Sequence, residues 1–510
     1  MIEESWKYIL DLSIVVLTLD RYLRVGAAIL GGIVSVAGSF AVSGSTPEFV
    51  VTPVNTFVVN NSPAELVTFS IQTLGYLGTQ LAFALSFVLT VALLAVATWV
   101  GSEIGSWLGI RFASAIGAGI FVWMVTVQLT GVPVGAVAAA VPSIVVVELI
   151  TYGSGEPERP PVSIVRRRFI RTVSAGLGFS IIAYLVGRQR TIPASESMPL
   201  PSATKLAEQA RSKQFDIASI PGLVSATDKF YEVDINSINP TIDSAQWELS
   251  VTGAVDNKFV LTYDELRAMR SEMKFKTLRC VGEQLNANLM DNAIWIGVPI
   301  VDIINRASPQ GGCECVMLRA EDGYFEEFPL AALETGFLAY GMNGEVLPRK
   351  HGYPVRALIP GHWGEINVKW LTEIEILNKR TNGYWEKRGW HGTGPVNTVA
   401  KIWAVDTLED GSIRVAGHAY AGTRGIERVE VSMDGETTWE DATLSGPLDK
   451  RDVLGEYDAW RQWKYTWTPP PGEHTVTVRA TDGDGKLQPR NEQSPFPSGP
   501  SGWVSVTVTA

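Results

Sequence analysis

Residues 342–356 read MNGEVLPRKHGYPVR, a stretch in which glycine and proline set turns between short apolar pieces. His351 by itself is typical of an ordinary loop histidine whose ring nitrogens are satisfied by nearby groups. Pro354 and Arg356 follow it three and five residues later. The pattern continues downstream in two short runs, Ile359-Pro360-Gly361 and Val368-Lys369-Trp370-Leu371.

Further motifs lie on either side of this stretch. Upstream are Phe230-Tyr231-Glu232 and Leu278-Arg279-Cys280-Val281, and near the C-terminus are RVEVSMDG at 428–435 and WRQW at 460–463. In this order they resemble the sulfite oxidase family of molybdopterin-dependent oxidoreductases over residues 226–510. Phe230-Tyr231-Glu232 is similar to the bacterial branch that includes the periplasmic methionine-sulfoxide reductase catalytic subunit. The two C-terminal motifs resemble the family's dimerisation domain.

The resemblance implies a molybdenum centre held by two dithiolene sulfurs of a pterin and by one protein thiolate. A thiolate is a soft ligand, suited to a metal that cycles between high oxidation states. Cys280 matches the thiolate position, and Arg279 beside it would favour the thiolate if its side chain points inward. Both are therefore catalytic candidates. Without the surrounding motifs, Cys280 would be interpreted as a buried cysteine on a core strand.

The resemblance also implies residues that bind the pterin and its phosphate. A phosphate suits an arginine as a bidentate donor and a lysine as a point charge, and Arg356 and Lys369 match these roles. Asp322 is followed by glycine, so an ordinary turn is an equally natural interpretation of that residue. The expected cofactor-binding residues are Asp228, Tyr231, Glu232, Cys280, Asp322, His351, Arg356, Asn367, Val368 and Lys369.

The chain departs from sulfite oxidases proper at one position. These enzymes carry a basic residue three places before the lysine that Lys369 matches, and here that place is Ile366, preceded by Glu365. An oxyanion should not be drawn to Glu365, so sulfite as the substrate is in doubt. His362 and Trp363 are candidates for the mouth of the site, although Trp363 could simply be packing.

The soluble half predicts a multidomain architecture. Residues 191–225 are rich in proline, serine, alanine and charge and are typical of a linker. Residues 226–394 have a mixed α+β pattern, in which Thr262 and Glu265 stand in capping-box spacing before a helix. From 395 to 510, short strands separated by glycine, aspartate and proline turns predict an immunoglobulin-like β-sandwich. The expected strands include Trp247–Val255, Lys276–Val281, Ile374–Leu377, Ile413–Ala416, Arg428–Ser432, Lys464–Trp467 and Thr475–Ala480.

Three cysteines in 510 residues exclude a disulfide framework. Cys313 and Cys315 are two residues apart at the start of a predicted strand. A bridge between them is one interpretation, and two packed or free thiols are the favoured one. No Cys-x-x-Cys motif occurs, which argues against thioredoxin-like, zinc-ribbon and c-type haem functions.

Residues 1–190 predict an all-α transmembrane domain of about five helices. Each apolar stretch is near the roughly 20 residues that cross a bilayer, and a soluble core is a poor alternative because the runs have no polar face. If the N-terminus is inside, most flanking arginines are cytoplasmic, and the catalytic half lies outside. The predicted spans are Val25–Val42, Gln80–Val100, Ala113–Leu129, Val134–Ile150 and Thr172–Val186, with flanking arginines Arg21, Arg24, Arg111, Arg159, Arg166–Arg168 and Arg171 inside and Arg188 and Arg190 as exceptions.

The run Arg166-Arg167-Arg168-Phe169-Ile170-Arg171, followed by a weakly hydrophobic stretch, resembles a twin-arginine export signal. Such signals serve proteins that fold around a cofactor before crossing the membrane. The alternative is a plain positive-inside anchor. A multi-pass protein of the cell membrane with its catalytic part on the extracytoplasmic side is the expected localisation.

Composition narrows the partners. Residues 1–190 carry 10 acidic and 11 basic residues and no Cys or His, so they offer no ligand for haem, and no haem is expected. The remainder carries 43 acidic and 31 basic residues, which argues against nucleic-acid binding. A small-molecule substrate, an external electron carrier or quinone, the membrane and a homodimer are the expected partners. A non-enzymatic protein with an adhesive or sensory ectodomain is the alternative, and a transporter is disfavoured.

Overall fold

The computed structural model describes residues 2–44, 46, 48–110, 112–151, 162–189, 200–310, 312–448 and 458–510. Arg111, Arg159, Arg190 and residues 191–199 of the predicted linker lie outside the described residues. The chain forms two compact units, one of residues Met1–Ser62, Tyr76–Ile192 and Asn236–Thr241, the other of residues Pro63–Gly75, Pro193–Ile235 and Ile242–Ala510.

Helices dominate the first unit. Five of them are long and apolar enough to cross a membrane, and each contains one of the predicted spans. These five are α1, α4, α5, α6 and α7. The helices of the described chain are α1 Ile2–Ser43, α2 Val51–Asn61, α3 Ala64–Phe69, α4 Tyr76–Ser106, α5 Ala113–Thr130, α6 Pro133–Thr151, α7 Val162–Gly187, α8 Thr204–Lys213, α9 Tyr263–Ala268 and α10 Ile300–Ala307, and a π-helical turn spans Ser70–Leu74.

Glycines bring the apolar helices into backbone contact. A Cβ atom on Gly101 of α4 would lie 2.3 Å from the carbonyl oxygen of Gly117 in α5, and one on Gly38 of α1 would lie 2.0 Å from that of Ala138 in α6. Small residues at such crossings are the usual basis of helix packing in bilayers, where burial of apolar side chains offers no advantage over lipid. The apolar helices therefore approach each other at backbone distance where these glycines lie.

The fifth apolar helix is longer than the predicted span Thr172–Val186. α7 begins at Val162 and runs for 26 residues, so the arginine run is helical and continuous with the apolar stretch. The side chains of Arg166, Arg167 and Arg171 are exposed. The run thus lies on the same helix as the apolar segment that follows it.

Strands build most of the second unit. They are β1 Glu248–Gly253, β2 Phe259–Thr262, β3 Glu272–Arg279, β4 Met290–Pro299, β5 Cys315–Ala320, β6 Phe325–Pro329, β7 Phe337–Met342, β8 Glu345–Val346, β9 Arg356–Leu358, β10 Leu371–Leu377, β11 Val399–Thr407, β12 Ile413–Tyr420, β13 Ile426–Ser432, β14 Glu440–Asp441, β15 Thr443–Leu444, β16 Arg461–Trp467, β17 Glu473–Asp482 and β18 Val504–Thr509. Each predicted strand overlaps one of these. The predicted capping box at α9 is also present, because Thr262 and Glu265 bond each other's backbone N–H groups.

The strands form four sheets. One has the order β2-β1-β10-β5-β6, with β1 and β10 parallel, and another has the order β3-β4-β7-β8, with β9 paired to β7. Every residue of β4 is buried, as expected of an apolar strand between two neighbours. Strands β11 to β18 form two four-stranded antiparallel sheets of orders β11-β12-β16-β15 and β14-β13-β17-β18. The central part is therefore sheet-rich with short helices, and the C-terminal part is all sheet.

The strand ends bring the sequence motifs together. Arg279 is the last residue of β3, so Cys280 opens the loop to β4. His351 ends a 3₁₀ turn, and Arg356 begins β9. A second 3₁₀ turn, Gly364–Ile366, leads through Asn367 to Lys369 into β10. Loops at strand ends are where a rigid sheet can position functional side chains.

The described part of the predicted linker, residues 200–225, is packed rather than extended, so this prediction is wrong for those residues. α8 lies in it, and Ile217 and Ile220 are buried against Ala404 and Ala416 of the C-terminal sheets. The Phe215 N–H donates to Gln462 Oε1 at 2.7 Å. The apolar side chains that make these contacts are few and lie among polar residues. The overall composition of the segment therefore did not reveal them.

Cys313 and Cys315 form a disulfide, so the favoured interpretation of two free or packed thiols is wrong. Glu314 between them has φ of 49°, and this left-handed turn brings the two Cα atoms to 5.2 Å. That separation lies within the usual range for a bridge. Cys280 is the free cysteine.

Candidate active site

A cavity with about 890 Å³ of atom-free space, including space open to solvent, lies in the second unit. The segment 230–235, the end of β3 with the loop after it, and the segment leading into β10 supply most of its wall. Of the predicted site residues, the lining includes Tyr231, Cys280, Asp322, His351, Arg356, Asn367, Val368 and Lys369. Motifs that are far apart in sequence thus meet at one concave site.

Cys280 lies in this wall, and its side chain is buried. Its N–H donates to the carbonyl oxygen of Leu289 at 2.9 Å, which closes the loop from Cys280 to Leu289. Burial raises the pKa of the thiol to about 12, and the backbone N–H of Gly282 and the cation of Lys401 oppose that rise. The metal-free thiol is therefore protonated, and a bound metal would have to displace the proton.

Arg279 does not point into the cavity, so its predicted role beside the thiolate is not supported by its position. Its Nε donates to Glu283 Oε1 at 2.7 Å, its Nη1 to the carbonyl oxygen of Asn397 at 3.0 Å, and its guanidinium stacks on Trp363 at 4.7 Å. The five N–H donors of an arginine lie in one plane. Because the donors of Arg279 are directed at Glu283 and Asn397, its guanidinium faces away from the Cys280 side chain.

Arg356 is a buried cation with unused donor capacity. Its Nη1 donates to the carbonyl oxygen of His351 at 3.0 Å and its Nη2 to that of Asn367 at 2.9 Å, while its Nε has no hydrogen-bond partner among the described residues. Trp295 lies beneath the guanidinium at 5.3 Å. Burial lowers the pKa of Arg356 to about 10, which still leaves it charged near neutral pH.

Two neighbours of Arg356 differ in charge. Lys369 forms an ion pair with Asp234, a residue that sequence analysis did not single out. His351 is neutral near pH 7, because burial lowers its pKa to about 3, although a contact of 3.1 Å between its Nε2 and the Thr227 carbonyl oxygen opposes the shift. We call His351, Arg356 and Lys369 the basic group.

A carboxyl lies in the same cavity. Glu365 is 8% exposed, and neither of its carboxyl oxygens has a hydrogen-bond partner among the described residues. A Cβ atom at position 392 would lie 2.5 Å from its Oε1, so Gly392 gives the carboxyl its room. Burial raises the pKa of Glu365 to about 8, and the nearby Glu386 adds to the rise. Glu365 is therefore protonated near neutral pH, and the expectation of a charged repelling group is corrected.

Further carboxyls adjoin Glu365. The Tyr324 hydroxyl lies 2.9 Å from Glu326 Oε2 and 2.9 Å from the Glu365 carbonyl oxygen. Burial, and then the hydrogen bond and charge of Glu386, raise the pKa of Glu326. We call Glu326, Glu365 and Glu386 the carboxyl cluster. It brings no cation to the cavity wall.

Ile366 does not face the cavity. Its side chain is fully buried in the main hydrophobic cluster of the central domain, together with Val368 and Leu371. The residue that faces the cavity beside it is Glu365. The missing cation of sulfite oxidases therefore cannot be restored by a substitution of Ile366 alone, since an arginine there would enter an apolar core.

Four other predicted residues lie outside the cavity wall. Asp228 and Glu232 are exposed, and neither is part of the lining. Trp363 is 1% exposed and packs beneath Arg279, which confirms the packing alternative. His362 is bonded through Nδ1 to the Pro360 carbonyl oxygen at 2.7 Å. Proximity in a motif did not translate into exposure to the cavity for these residues.

Sequence reasoning missed Trp385 and Trp390, which line the cavity, and Lys401, which acts on Cys280. The Trp390 Nε1 has no hydrogen-bond partner among the described residues. No local pattern marks these three residues, because Trp385 and Trp390 lie on the segment between β10 and β11 and Lys401 lies on β11, all outside the predicted motifs. Asp234 could have been found as a carboxylate close to the predicted binding segment Phe230-Tyr231-Glu232.

Two family models match this chain. The oxidoreductase molybdopterin binding domain matches residues 236–385, and the Mo-co oxidoreductase dimerisation domain matches residues 396–495. The chain is similar to sulfite oxidase of Arabidopsis thaliana, with 26% identity over 335 residues, covering 54% of this chain and 85% of that one. It is 27% identical over 301 residues to mitochondrial sulfite oxidase of Homo sapiens, covering 49% of this chain and 54% of that one, so it spans about half of the human relative. An uncharacterized oxidoreductase of Bacillus subtilis (strain 168), YuiH, is 32% identical over 154 residues, covering 30% of this chain and 76% of that one.

Proposed function

The chain belongs to the sulfite oxidase family of molybdenum-dependent oxidoreductases, and from this premise we propose that it transfers an oxygen atom to or from a small extracytoplasmic substrate while tethered to a membrane. The proposed organisation is a membrane domain at 1–190, a molybdopterin domain at 226–394 and an immunoglobulin-like dimerisation domain at 395–510. The observation that carries the proposal is one cavity wall holding both the free thiol of Cys280 and the uncommitted Nε of Arg356. A non-enzymatic ectodomain is not retained for a member of this family.

The cavity fits a phosphorylated pterin with a thiolate-bound metal. Lys369 is matched by Asp234, whereas Arg356 forms no ion pair among the described residues, so the basic group carries an excess positive charge. A buried cation without a counter-charge is costly, and a phosphate would offset that cost while accepting the free Nε–H. Cys280 offers the soft sulfur that molybdenum prefers. We assign the metal to Cys280 and the phosphate to Arg356 and Lys369.

When bound, the molybdenum centre would supply two-electron oxygen-atom transfer. The protein's own part is to position the ligands and to handle protons. The Sγ of Cys280 gives up its proton on metal binding, and the charge of Lys401 favours that loss. Glu365 holds a proton near neutral pH and can donate a hydrogen bond, or the proton itself, to a substrate oxygen in the cavity.

The substrate class follows from these charges. In this part of the cavity wall, the carboxyl of Glu365 is neutral and the indole of Trp390 lies in the lining. Neither residue adds a cation. A neutral acid and an indole N–H suit the oxygen of an uncharged acceptor such as a sulfoxide or an N-oxide. A sulfite dianion would gain little from them, so we propose that the site is not tuned for sulfite.

Metal analysis and a substrate panel test this function. Protein purified in detergent should contain molybdenum and pterin in amounts equal to the chain. With artificial electron carriers it should reduce sulfoxides or N-oxides faster than it oxidises sulfite or reduces nitrate. Protein that folds but holds neither molybdenum nor pterin would contradict the assignment, and efficient sulfite turnover would contradict the substrate class.

The membrane part of the proposal rests on the five apolar helices and on the arginines at the start of α7. We propose that the Arg166–Arg171 run exports a folded catalytic domain, which an external electron carrier or a quinone then serves. Changing Arg166 and Arg167 to lysine keeps the charge but removes the motif. The catalytic domain should then remain protected from added protease inside the cell. A domain that still reaches the outside would make the run a topology anchor instead.

A further inference from the structure

The loop that carries Cys280 is organised around one buried carboxylate. Residues 280–289 leave β3 and return to β4, and Glu283 within them is 1% exposed. Its Oε1 accepts from Arg279 Nε at 2.7 Å, and its Oε2 accepts from the Leu289 N–H at 3.2 Å. Glu283 therefore joins the end of β3 to the end of the loop, on either side of Cys280.

Lys401 of the C-terminal domain completes this arrangement. It lies on β11 and is fully buried, and its Nζ lies 2.7 Å from each carboxyl oxygen of Glu283 and 2.6 Å from the carbonyl oxygen of Ala287. All three donors of the ammonium group thus bond to the Cys280 loop. The next residue, Ile402, exchanges backbone bonds with the Asn286 side chain at 2.9 and 3.0 Å.

The arrangement is more than domain adhesion. A buried ion pair seldom adds net stability over apolar packing, but removal of one partner from it is strongly destabilising, so such a network mainly defines a conformation. Lys401 is also the side-chain cation that favours the Cys280 thiolate, whereas the adjacent Arg279 is turned away toward Glu283. One lysine of the C-terminal domain therefore bears on both the shape and the charge state of the metal-ligand loop.

We propose that Lys401 is a positioning residue, which acts through Glu283 to hold the loop so that the Cys280 thiol faces the metal site. This rests on the proposed function, since it takes Cys280 as the metal ligand. It gives the C-terminal domain a role in the active site in addition to the dimerisation that its family name describes.

The chain offers a matched control. Lys276 of β3 is 1% exposed, and its Nζ bonds Asp458 Oδ2 at 2.9 Å, which also links the central domain to the C-terminal part. Its ion pair lies outside the 280–289 loop. Lys276→Met therefore reports what the loss of any buried lysine between these domains does, and Lys401→Met reports what is specific to the loop.

The experiment measures Cys280 in two ways. In cofactor-free protein, the alkylation rate of the free thiol by iodoacetamide is followed, and in protein from cofactor-supplied cells the molybdenum per chain is determined. Lys401→Met should raise the alkylation rate about tenfold, because a local opening that is easier by about 1.4 kcal/mol exposes the thiol ten times as often. It should also lower molybdenum content, while Lys276→Met leaves both near wild type and Lys401→Arg, which keeps the cation, restores both in part.

The outcomes separate the inference from the function. Equal effects of Lys401→Met and Lys276→Met, or no effect of Lys401→Met on either readout, would overturn the positioning role. If Lys401→Met does not fold, Lys401→Gln, which keeps a donor for Glu283, should give a smaller change in the same direction, and a wild-type result for it would overturn the role as well. If the wild-type chain itself takes up no molybdenum, the proposed function fails, while the alkylation rates still report whether Lys401 holds the loop.

Discussion

The basic group and Glu365 line one cavity and respond to burial in opposite ways. Burial penalises the charged form of every titratable group, so it lowers the pKa values of His351 and Arg356 and raises that of Glu365. Arg356 starts so high that it stays charged, whereas Glu365 crosses neutral pH and loses its charge. Burial therefore leaves Arg356 cationic and Glu365 neutral within the same cavity.

This difference indicates a division of labour. The cationic basic group suits the permanent charge of a cofactor phosphate. A neutral acid suits the oxygen of a substrate that binds and dissociates in each turnover. The two parts are connected electrostatically, because Glu365 acts on the pKa of Cys280, and both Cys280 and Arg356 act on that of Tyr231. Substitutions in each part should have separable effects on cofactor content and on turnover.

The largest effect is expected at Cys280, which lines the cavity but belongs to neither the basic group nor the carboxyl cluster. Cys280→Ser should give a folded protein that still contains pterin but has lost activity by orders of magnitude, because a hydroxyl replaces the soft thiolate. Steady-state turnover and pterin content are the measurements. Near-normal turnover in this variant would show that Cys280 is not the metal ligand.

The next largest effect is expected at Arg356 of the basic group. Arg356→Ala removes one partner from a buried charged contact, which typically costs about 3–5 kcal/mol, so the protein should be purified largely without molybdenum. Arg356→Lys should retain some, because the charge survives and the planar donors do not. Molybdenum per chain at limiting cofactor supply is the readout. Full occupancy of the alanine variant would place the phosphate elsewhere.

A smaller effect is expected at Glu365 of the carboxyl cluster. Glu365 is neutral below its pKa of about 8 and anionic above it, so the KM for sulfite should rise as the pH increases through that value. At an effective dielectric of ~20, two unit charges ~8 Å apart interact by about 2 kcal/mol, so for a dianion the KM should rise at least roughly thirtyfold. Glu365→Gln should remove the rise, and it should leave the KM for a neutral sulfoxide nearly independent of pH.

The control for this prediction is Glu334→Gln, at an exposed position, which should keep the wild-type profile. A sulfite KM that is flat with pH in the unmodified enzyme would show that the Glu365 carboxyl does not change charge facing the substrate. The rise should also weaken at high salt, as an electrostatic effect does.

The smallest effect is expected at the disulfide between Cys313 and Cys315, whose residues do not line the cavity. Cys313→Ser and Cys315→Ser should alter turnover by no more than a surface substitution does, because these residues pack with Met317 and Leu377 in a separate cluster. Thiol titration of unfolded, unreduced wild-type protein should detect Cys280 alone. A large loss of activity in either variant would mean that the cavity depends on this cluster.

Local patterns in the sequence determined much of this molecule. Apolar runs predicted the five long helices, alternation predicted the strands, and the spacing of Thr262 and Glu265 predicted a capping box that is present. Ordered motifs predicted which loops meet, and Cys280, His351, Arg356 and Lys369 all line one cavity. These features rest on short-range geometry or on residues that a motif keeps together, so neighbours along the chain are enough to reveal them.

Only the tertiary structure decided which way side chains face and what surrounds them. The sequence did not show that Arg279 faces Glu283 and not the cavity. It also did not show that Glu365 faces the cavity while Ile366 is buried in the apolar core. Lys401 reaches Glu283 across 118 positions. Orientation and pKa depend on packing and charge brought from distant segments, which no local pattern encodes.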